Sequence, residues 1–217
     1  MQQMPARERM INMKKLMILG AGVYQVPLIK RAKEKGLYTI VVSIPGDYPG
    51  FKLADKIYYE NTTDCEKILE IAQKENIDGI VTAGTDVAVV TVGRVCDAMK
   101  LCGISYEAAQ ISGDKLLMKD QYEKYGVRTA KYRKIFFADK DIEEKISELT
   151  QPLIFKAVDS SGSRGIIRID DLSKCRETIE EVKKYTKKDY FIAEEFLEGE
   201  EFGAQAYILG GKVQFIL

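Results

Sequence analysis

The chain has 217 residues, of which 46% are hydrophobic and 30% are charged, as expected for a globular protein long enough for two compact units. Lysine plus arginine and aspartate plus glutamate both total 33, which removes the usual electrostatic reason for binding nucleic acid or a membrane surface. The apolar runs are all shorter than the roughly 18 residues that a membrane span needs. We therefore expect neither nucleic acid nor a membrane as a partner.

The chain contains no histidine, and its four cysteines are scattered without a C-x-x-C pair. The common zinc sites and a Ser-His-Asp triad therefore lack their usual residues. Scattered thiols in a chain without a signal peptide are typical of reduced cysteines, so we expect a cytoplasmic protein. Residues 1–12 lack the apolar segment of a signal peptide and are predicted to be an N-terminal extension.

A βαβ unit is predicted directly after this extension. An apolar strand ends at Gly20, a helix with proline in its first turn stops at Gly36, and Thr39–Ser43 forms a second buried strand. Strands that are apolar throughout are buried on both faces, as in doubly wound sheets. The sequence therefore predicts an α/β domain with a parallel, Rossmann-like sheet.

The turn after the first strand carries Gly20 and Gly22, the first two glycines of a dinucleotide-binding fingerprint. The third glycine position holds Gln25, and the second strand ends in Ser43 where a ribose-binding acidic residue is needed. Packing of the helix against the strand explains the two glycines equally well. A nicotinamide-dependent oxidoreductase is kept as an alternative.

The same alternation of strands and helices continues to residue 111. A capping box at residues 63–66 opens a predicted helix that runs to residue 75. A strand at 79–82, an interior helix at 87–95 and a short helix at 105–111 are predicted to follow. Thr85 and Asp86 follow a strand end, where open α/β sheets bind ligands. They are candidates for substrate contact or for helix capping.

The second half of the chain predicts a smaller unit of strands and helices, followed by two strands. Helices are predicted at residues 112–126, 141–149 and 171–185. Strands are predicted at 130–138, 153–156, 166–168, 201–209 and 212–217, with a loop at 157–165 between two of them. The final apolar strand has no cap or polar tail, so we expect the chain to be part of a longer protein. Without the missing part, this polypeptide is expected to pair with another copy through residues 201–217 or to aggregate.

A lysine followed by a glycine-serine loop is the most informative feature of this half. Lys156 ends an apolar strand, where a lysine is costly unless it is paired with an anion. In the loop that follows, glycine permits close backbone approach, and successive N–H groups can converge on phosphate oxygens. The lysine precedes the loop, so this is not a P-loop, and a simple turn remains an alternative.

Two further motifs flank this loop. Upstream, Ser112-Gly-Asp-Lys115 opens a helix, and downstream a strand ends in Glu194-Glu-Phe-Leu-Glu-Gly-Glu-Glu201. Together the three segments resemble the ATP-grasp superfamily, whose pattern is a D-K helix, a hydrophobic-K strand with a glycine-rich loop, and a hinge E-E-(F/Y)-(L/I)-x-G-x-E. The resemblance covers residues 13–217. It implies a Rossmann-like pre-ATP-grasp domain at 13–111 and an α+β lid subdomain of the ATP-grasp domain at 112–188. Residues 189–217 would be the start of a second, incomplete ATP-grasp subdomain.

The resemblance also implies ATP and Mg²⁺ as cofactors and assigns residues to them. The implied nucleotide-binding residues are Lys115, Ile154, Lys156, Ser160, Ser161, Gly162, Ser163, Gly165, Glu194, Glu195, Phe196, Leu197 and Glu201. The implied catalytic residues are Lys156 and Arg164. In this assignment the lysines and the loop hold the phosphates, the hinge reads adenine, and Glu201 binds the ribose. The magnesium ligands of the family lie on later strands and have no counterpart before residue 217.

The function implied by the resemblance is that of an ATP-dependent ligase, similar to carbamoyl-phosphate-synthase-like members. Such an enzyme joins a small-molecule carboxylate to an amine, or to a similar nucleophile, through an acyl phosphate. A non-catalytic nucleotide-binding module or subunit is the first alternative, because the magnesium ligands are missing from this chain. The predicted partners are small substrates and further copies of the chain in a homo-oligomer.

Overall fold

The computed structural model describes residues 13–217, so the predicted extension at 1–12 lies outside the described residues. The first sheet is parallel, with strand order β3-β2-β1-β4. Its strands are β1 Lys15–Leu19, β2 Tyr38–Ser43, β3 Lys56–Tyr59 and β4 Gly79–Thr82. The helices around it are α1 Val26–Glu34, α2 Cys65–Glu75, α3 Val89–Met99 and α4 Tyr106–Gly113, with a 3₁₀ turn at Pro49–Leu53.

Both faces of this sheet are buried because successive side chains of a strand point to opposite faces. Met17 and Leu19 enter the cluster that packs under α2 and α3, whereas Ile18 enters the cluster under α1. All three side chains are fully buried. The predicted α/β class with a parallel sheet is confirmed.

The second sheet is antiparallel, with strand order β5-β8-β6-β7. Its strands are β5 Tyr132–Phe136, β6 Leu153–Lys156, β7 Ile166–Ile169 and β8 Tyr190–Glu195. The helices of this half are α5 Lys115–Lys124, α6 Ile142–Ile146 and α7 Cys175–Lys183, with a 3₁₀ turn at Leu172–Lys174. Phe155 and Phe191 fill the core under α6 and α7, and Leu116 of α5 packs on the opposite face.

A hairpin of β9 Ala206–Leu209 and β10 Lys212–Ile216 follows the second sheet. Its turn is Gly210-Gly211, and both glycines have positive φ, the conformation that such two-residue turns require. Every residue from 201 to 217 is exposed. Within residues 13–217, every helix is too short or too polar to cross a bilayer.

Several predicted element bounds were wrong. The helix expected at 112–126 begins at Lys115 with Asp114 as its N-cap, because Ser112 and Gly113 still belong to α4. The capping box predicted at 63–66 was also wrong, because the N-cap residue of α2 is Asp64. The strand expected at 201–209 starts only at Ala206, which pairs with Ile216, and the next backbone pair is Gln205 with Leu217. The short edge strand β3 was not predicted.

Candidate functional site

A cleft of about 490 Å³ opens on the face of the second sheet that carries α5. It is lined by Lys119, Arg128, Thr129, Ala130, Ile154, Lys156, Ile166, Glu194, Glu195, Phe196, Leu197 and Glu201. The cleft therefore brings together seven of the predicted site residues, Ile154, Lys156, Glu194 to Leu197 and Glu201. Its size is typical of a site for a small ligand. A cavity of similar size between α6 and α7 contains none of the predicted site residues.

The alternation of strand side chains explains why these residues meet. Ile154 lies directly opposite Glu194 in the ladder between β6 and β8, and Lys156 lies opposite Ile192. Paired residues share a face, and residues two apart on a strand share it too. The opposite face carries Phe155 and Phe191 into the core. The polar residues therefore fall on the side where α5 covers only part of the sheet.

A buried cluster of three charges lies at the centre of the cleft. Glu194 forms ion pairs with Lys156 and with Lys119, whose Nζ is 2.7 Å from Glu194 Oε2. Only 4% of Glu194 and 7% of Lys119 are exposed. Lys119 donates hydrogen bonds to Thr129 Oγ1 at 2.7 Å and to the Ala130 carbonyl at 3.1 Å. Its contact with Glu194 Oε2 is not aligned as a hydrogen bond, and no other described group donates to that atom.

Sequence reasoning missed Lys119, although a signal for it was present. It lies four residues after Lys115 on the same helix, so the two lysines share a face. On the sequence alone, a lysine on a helix is expected in solvent. The residues of the turn after α5, Arg128, Thr129 and Ala130, were also missed. Their place beside the cleft depends on how the chain leaves α5 and enters β5.

Burial and neighbouring charge change the acidity of this cluster. Burial lowers the pKa of Lys156 to about 8, and the positive charges of Lys119 and Lys115 act in the same direction. Burial likewise lowers the pKa of Lys119 and that of Lys115. A cleft with several partly desolvated ammonium groups is suited to an anion, whose charge would stabilise their protonated forms.

Lys115 lies outside this cleft and holds the glycine-serine loop. Its Nζ donates to the Ala157 carbonyl at 3.1 Å and to the Ser160 carbonyl, while its backbone N–H donates to Val158 O at 3.0 Å. The predicted contact of Lys115 with phosphates stays a prediction. In the structure Lys115 anchors the start of α5 to the loop.

The loop itself makes a tight turn above the end of β6. Gly162, Ser163 and Gly165 have positive φ, and a Cβ on Gly165 would come within 2.8 Å of the Cβ atoms of both Ala157 and Tyr185. Ser160 and Arg164 line a separate cavity of about 480 Å³ that also contacts Val87. Ser161 and Ser160 face another of about 280 Å³, next to Asp86. The loop residues are therefore near the cleft in sequence but do not line it.

The segment after β8 is held by backbone hydrogen bonds. Glu195 N–H donates to Lys131 O at 3.0 Å and Phe196 N–H donates to Pro152 O at 2.9 Å. The Leu197 N–H has no partner among residues 13–217. Leu197 is 67% exposed. Phe196 is covered by the Arg168 guanidinium, 4.4 Å from the ring centroid.

The glycine turn after β1 is filled by a side chain. The Gln25 amide accepts the Gly22 N–H through Oε1 at 2.9 Å and donates to the Ala83 carbonyl through Nε2. Only 5% of Gln25 is exposed. A pyrophosphate would need the space and the N–H group that Gln25 occupies. This geometry disfavours the dinucleotide alternative.

Comparison with known proteins decides the family. Residues 113–217 match the family model described as the phosphoribosylglycinamide synthetase, ATP-grasp (A) domain. The crystal structure of phosphoribosylglycinamide synthetase from Anaerococcus prevotii is 35% identical, has a TM-score of 0.73 and aligns with 94% of this chain and 51% of that one. The chain belongs to the ATP-grasp superfamily.

Several ligases are also similar to this chain. A phosphoribosylamine–glycine ligase from Clostridium acetobutylicum is 29% identical over 199 residues, which are 86% of this chain and 46% of the relative. An alanine–anticapsin ligase from Bacillus subtilis is 27% identical over 184 residues, 75% of this chain and 39% of the relative. An L-amino acid ligase from Bacillus licheniformis, 19% identical with a TM-score of 0.70, shows the shared fold. The chain spans about half the length of these relatives or less.

The ATP-grasp assignment implies magnesium, an ion that proteins bind through carboxylate oxygens. Between residues 13 and 217 there is no group of three or more Asp, Glu, Cys or His residues placed to hold a metal ion. Of the acidic side chains in the cleft, Glu194 is engaged by two lysines and Glu195 accepts the Thr150 N–H at 2.8 Å. The described acidic residues of this cleft therefore do not make a magnesium site.

Proposed function

We propose that this chain forms the ATP-binding part of a ligase that joins a carboxylate to an amine. The observation that carries this proposal is the lysine pair of the cleft, buried Lys119 and partly buried Lys156, beside the hinge strand of an ATP-grasp protein. Buried ammonium groups with lowered pKa values favour an anionic ligand, and a nucleotide supplies both phosphates and an apolar ring.

The residues of the cleft have different parts in this proposal. Lys156 binds phosphate oxygens, and the Leu197 N–H, which is without a partner in the described chain, donates to the adenine ring. Ile154 and Phe196 provide apolar cover for that ring, and Glu201 accepts ribose hydroxyls. Lys115, Arg164 and the loop Ser160–Gly165 cover the outer phosphates once the loop folds over the cleft, with glycine giving the necessary freedom.

The chemistry is transfer of the terminal phosphoryl group followed by attack of an amine. The bond between that phosphorus and the bridging oxygen breaks, a bond to a carboxylate oxygen forms, and ADP leaves. The amine nitrogen then attacks the acyl carbon, phosphate leaves, and the nitrogen loses a proton. Negative charge spreads over the phosphoryl oxygens, so fixed positive charges and orientation are the main contributions of the protein. Magnesium would add charge compensation, with ligands from outside the described residues.

The names of the relatives indicate which substrates should be tested first. Four of the relatives compared are phosphoribosylamine–glycine ligases, which favours glycine as the carboxylate. The alanine–anticapsin ligase makes L-alanine the second choice. Cytoplasmic location and a homo-oligomeric state are parts of the same proposal.

Calorimetry with this chain tests the nucleotide site. We expect Lys156→Met to weaken ATP binding by about tenfold or more, because a charged hydrogen bond to phosphate is lost. Lys140→Met is the matched control, since Lys140 is exposed and lies at the unrelated cavity between α6 and α7. Equal ATP affinity of the wild type and Lys156→Met would overturn the assignment of the site.

Release of ADP tests the reaction and separates it from the alternative. With ATP, Mg²⁺, glycine and an amine acceptor, a ligase releases ADP only when both substrates are present. ATP binding that responds to Lys156→Met, without substrate-dependent ADP release from the protein in its complete form, would favour a nucleotide-binding module or subunit.

A further inference from the structure

Lys119 is the most enclosed ammonium group of the cleft. Its side chain is 9% exposed, and it contacts one carboxylate, one hydroxyl and one carbonyl. Its Nζ also lies 5.1 Å from the centroid of the Tyr132 ring. A lysine with three polar contacts and an aromatic cover is fixed in place, because every displacement would expose unpaired groups in a desolvated site.

Glu194 is shared by two lysines of different exposure. Its Oε2 faces the fixed Lys119, whereas its Oε1 faces Lys156, whose side chain is 25% exposed toward the open cleft. One carboxylate thus neutralises one of two ammonium groups, and the cluster keeps a net positive charge. An anion entering the cleft competes with Glu194 for Lys156 but not for Lys119.

We propose that Lys119 is a positioning residue that retains the Glu194 carboxylate and thereby frees Lys156 to bind nucleotide phosphate. The inference rests on the proposed function and adds a residue that the sequence motifs do not contain. With Lys119 present, the Glu194 carboxylate keeps a counter-ion after Lys156 turns to the phosphate. Without it, the same movement would leave a buried carboxylate unpaired, which is strongly unfavourable.

Binding measurements that separate phosphate from base test this role. Two variants remove the charge of Lys119: Lys119→Met, and Lys119→Gln, which retains a donor for Thr129 and Ala130. We expect both to weaken ATP binding by about tenfold or more and adenosine binding by less than about threefold, because only phosphate needs Lys156 to leave Glu194. Lys124→Met, at an exposed position of the same helix, should change neither.

A double variant distinguishes positioning from a structural role. In Lys119→Gln/Glu194→Gln no carboxylate holds Lys156, so ATP affinity should recover to within about threefold of the wild type. A purely structural role predicts equal losses for ATP and adenosine and no recovery in the double variant. That result would overturn the inference. If the wild type binds ATP no more tightly than adenosine, the proposed function itself fails.

A measurement without nucleotide provides a separate readout. The charged groups around Lys156 are Lys115, Lys119, Arg128, Glu194, Glu195 and Glu201. Without the positive charge of Lys119, Lys156 is the only one of the two lysines that pairs with Glu194. The titration midpoint of Lys156, followed by NMR of ¹³C-labelled lysine, should therefore move to higher pH in Lys119→Gln. An unchanged or lower titration midpoint would overturn the inference even if nucleotide binding were lost through poor folding.

Discussion

At the scale of single residues, the positive charge of the cleft depends on the position of Lys156 at the end of a strand. Lys156 is the last residue of β6 and lies opposite Ile192 of β8. Its side chain is 25% exposed, and its ammonium group pairs with Glu194. The pKa of Lys156 falls to about 8 because burial disfavours the charged form, and Lys119 and Lys115 add repulsion. The group therefore titrates close to physiological pH.

This shift predicts that ATP binding weakens as the pH rises from 7.5 to 9.5. Below about pH 8 the free protein already carries the proton that a phosphate contact requires. Above about pH 8 Lys156 must take up a proton on binding, which lowers the affinity for ATP. Ionisation of the phosphate, with a pKa of about 6, is already complete in this range and does not contribute. Calorimetry in two buffers of different ionisation enthalpy should show proton uptake near pH 8.5. The uptake should vanish in Lys156→Met, and flat affinity across this range would contradict the assignment.

At the scale of elements, helix α5 carries Lys119 to the cleft, and Asp114 fixes where that helix begins. The Asp114 side chain accepts the N–H groups of Leu116 at 2.9 Å and Leu117 at 3.2 Å, and it accepts the Tyr190 hydroxyl at 3.0 Å. The residue is 5% exposed. One carboxylate therefore caps the helix and ties it to β8, which also carries Glu194. Burial, with Asp114 beside it, raises the pKa of Tyr190 to about 12.

Asp114→Ala is expected to lower the free energy of unfolding by about 2 kcal/mol, from the lost cap together with the unpaired Tyr190 hydroxyl. Denaturant unfolding measures this loss. Asp141→Ala is the control, since Asp141 is the N-cap residue of α6 but makes no capping hydrogen bond. Its effect should stay below about 0.5 kcal/mol. Equal effects of the two substitutions would show that the Asp114 contacts do not stabilise the fold.

At the scale of the whole molecule, the β9–β10 hairpin differs from the rest of the described chain. Both of its strands are exposed along their entire length, and Tyr207 stacks on Phe215 with ring centroids 5.4 Å apart. Exposed apolar strands with free edges favour pairing with another chain. The formal net charge of zero adds no repulsion between copies.

We expect this chain to self-associate through the hairpin in a concentration-dependent way. Val213→Lys places a charge on the hairpin and should shift the sedimentation coefficient toward that of the monomer. Val23→Lys is the matched control, because Val23, in the turn after β1, is 67% exposed whereas Val213 is 56% exposed. A monomer at all concentrations, or an equal effect of both substitutions, would contradict the role of the hairpin.

The sequence by itself determined the class of the fold and the family. Apolar strands flanked by glycine turns specify buried parallel strands through local rules that act within a few residues. The three motifs around Lys115, Lys156 and Glu194 lie on separate segments, and their order is visible without coordinates. Seven residues of the predicted site also line one cleft, because strand alternation places Ile154 and Lys156 on the same face as Glu194.

Only the tertiary structure decided which lysines share that cleft. The sequence presents Lys115 and Lys119 as two lysines of one helix, and the motif favours Lys115. Helix α5 is held at Asp114, so that Lys115 reaches the loop carbonyls and Lys119 reaches Glu194. A side chain becomes part of a site through the distance between elements far apart in the chain. That distance is set by packing of α5 on the sheet, which no local pattern encodes.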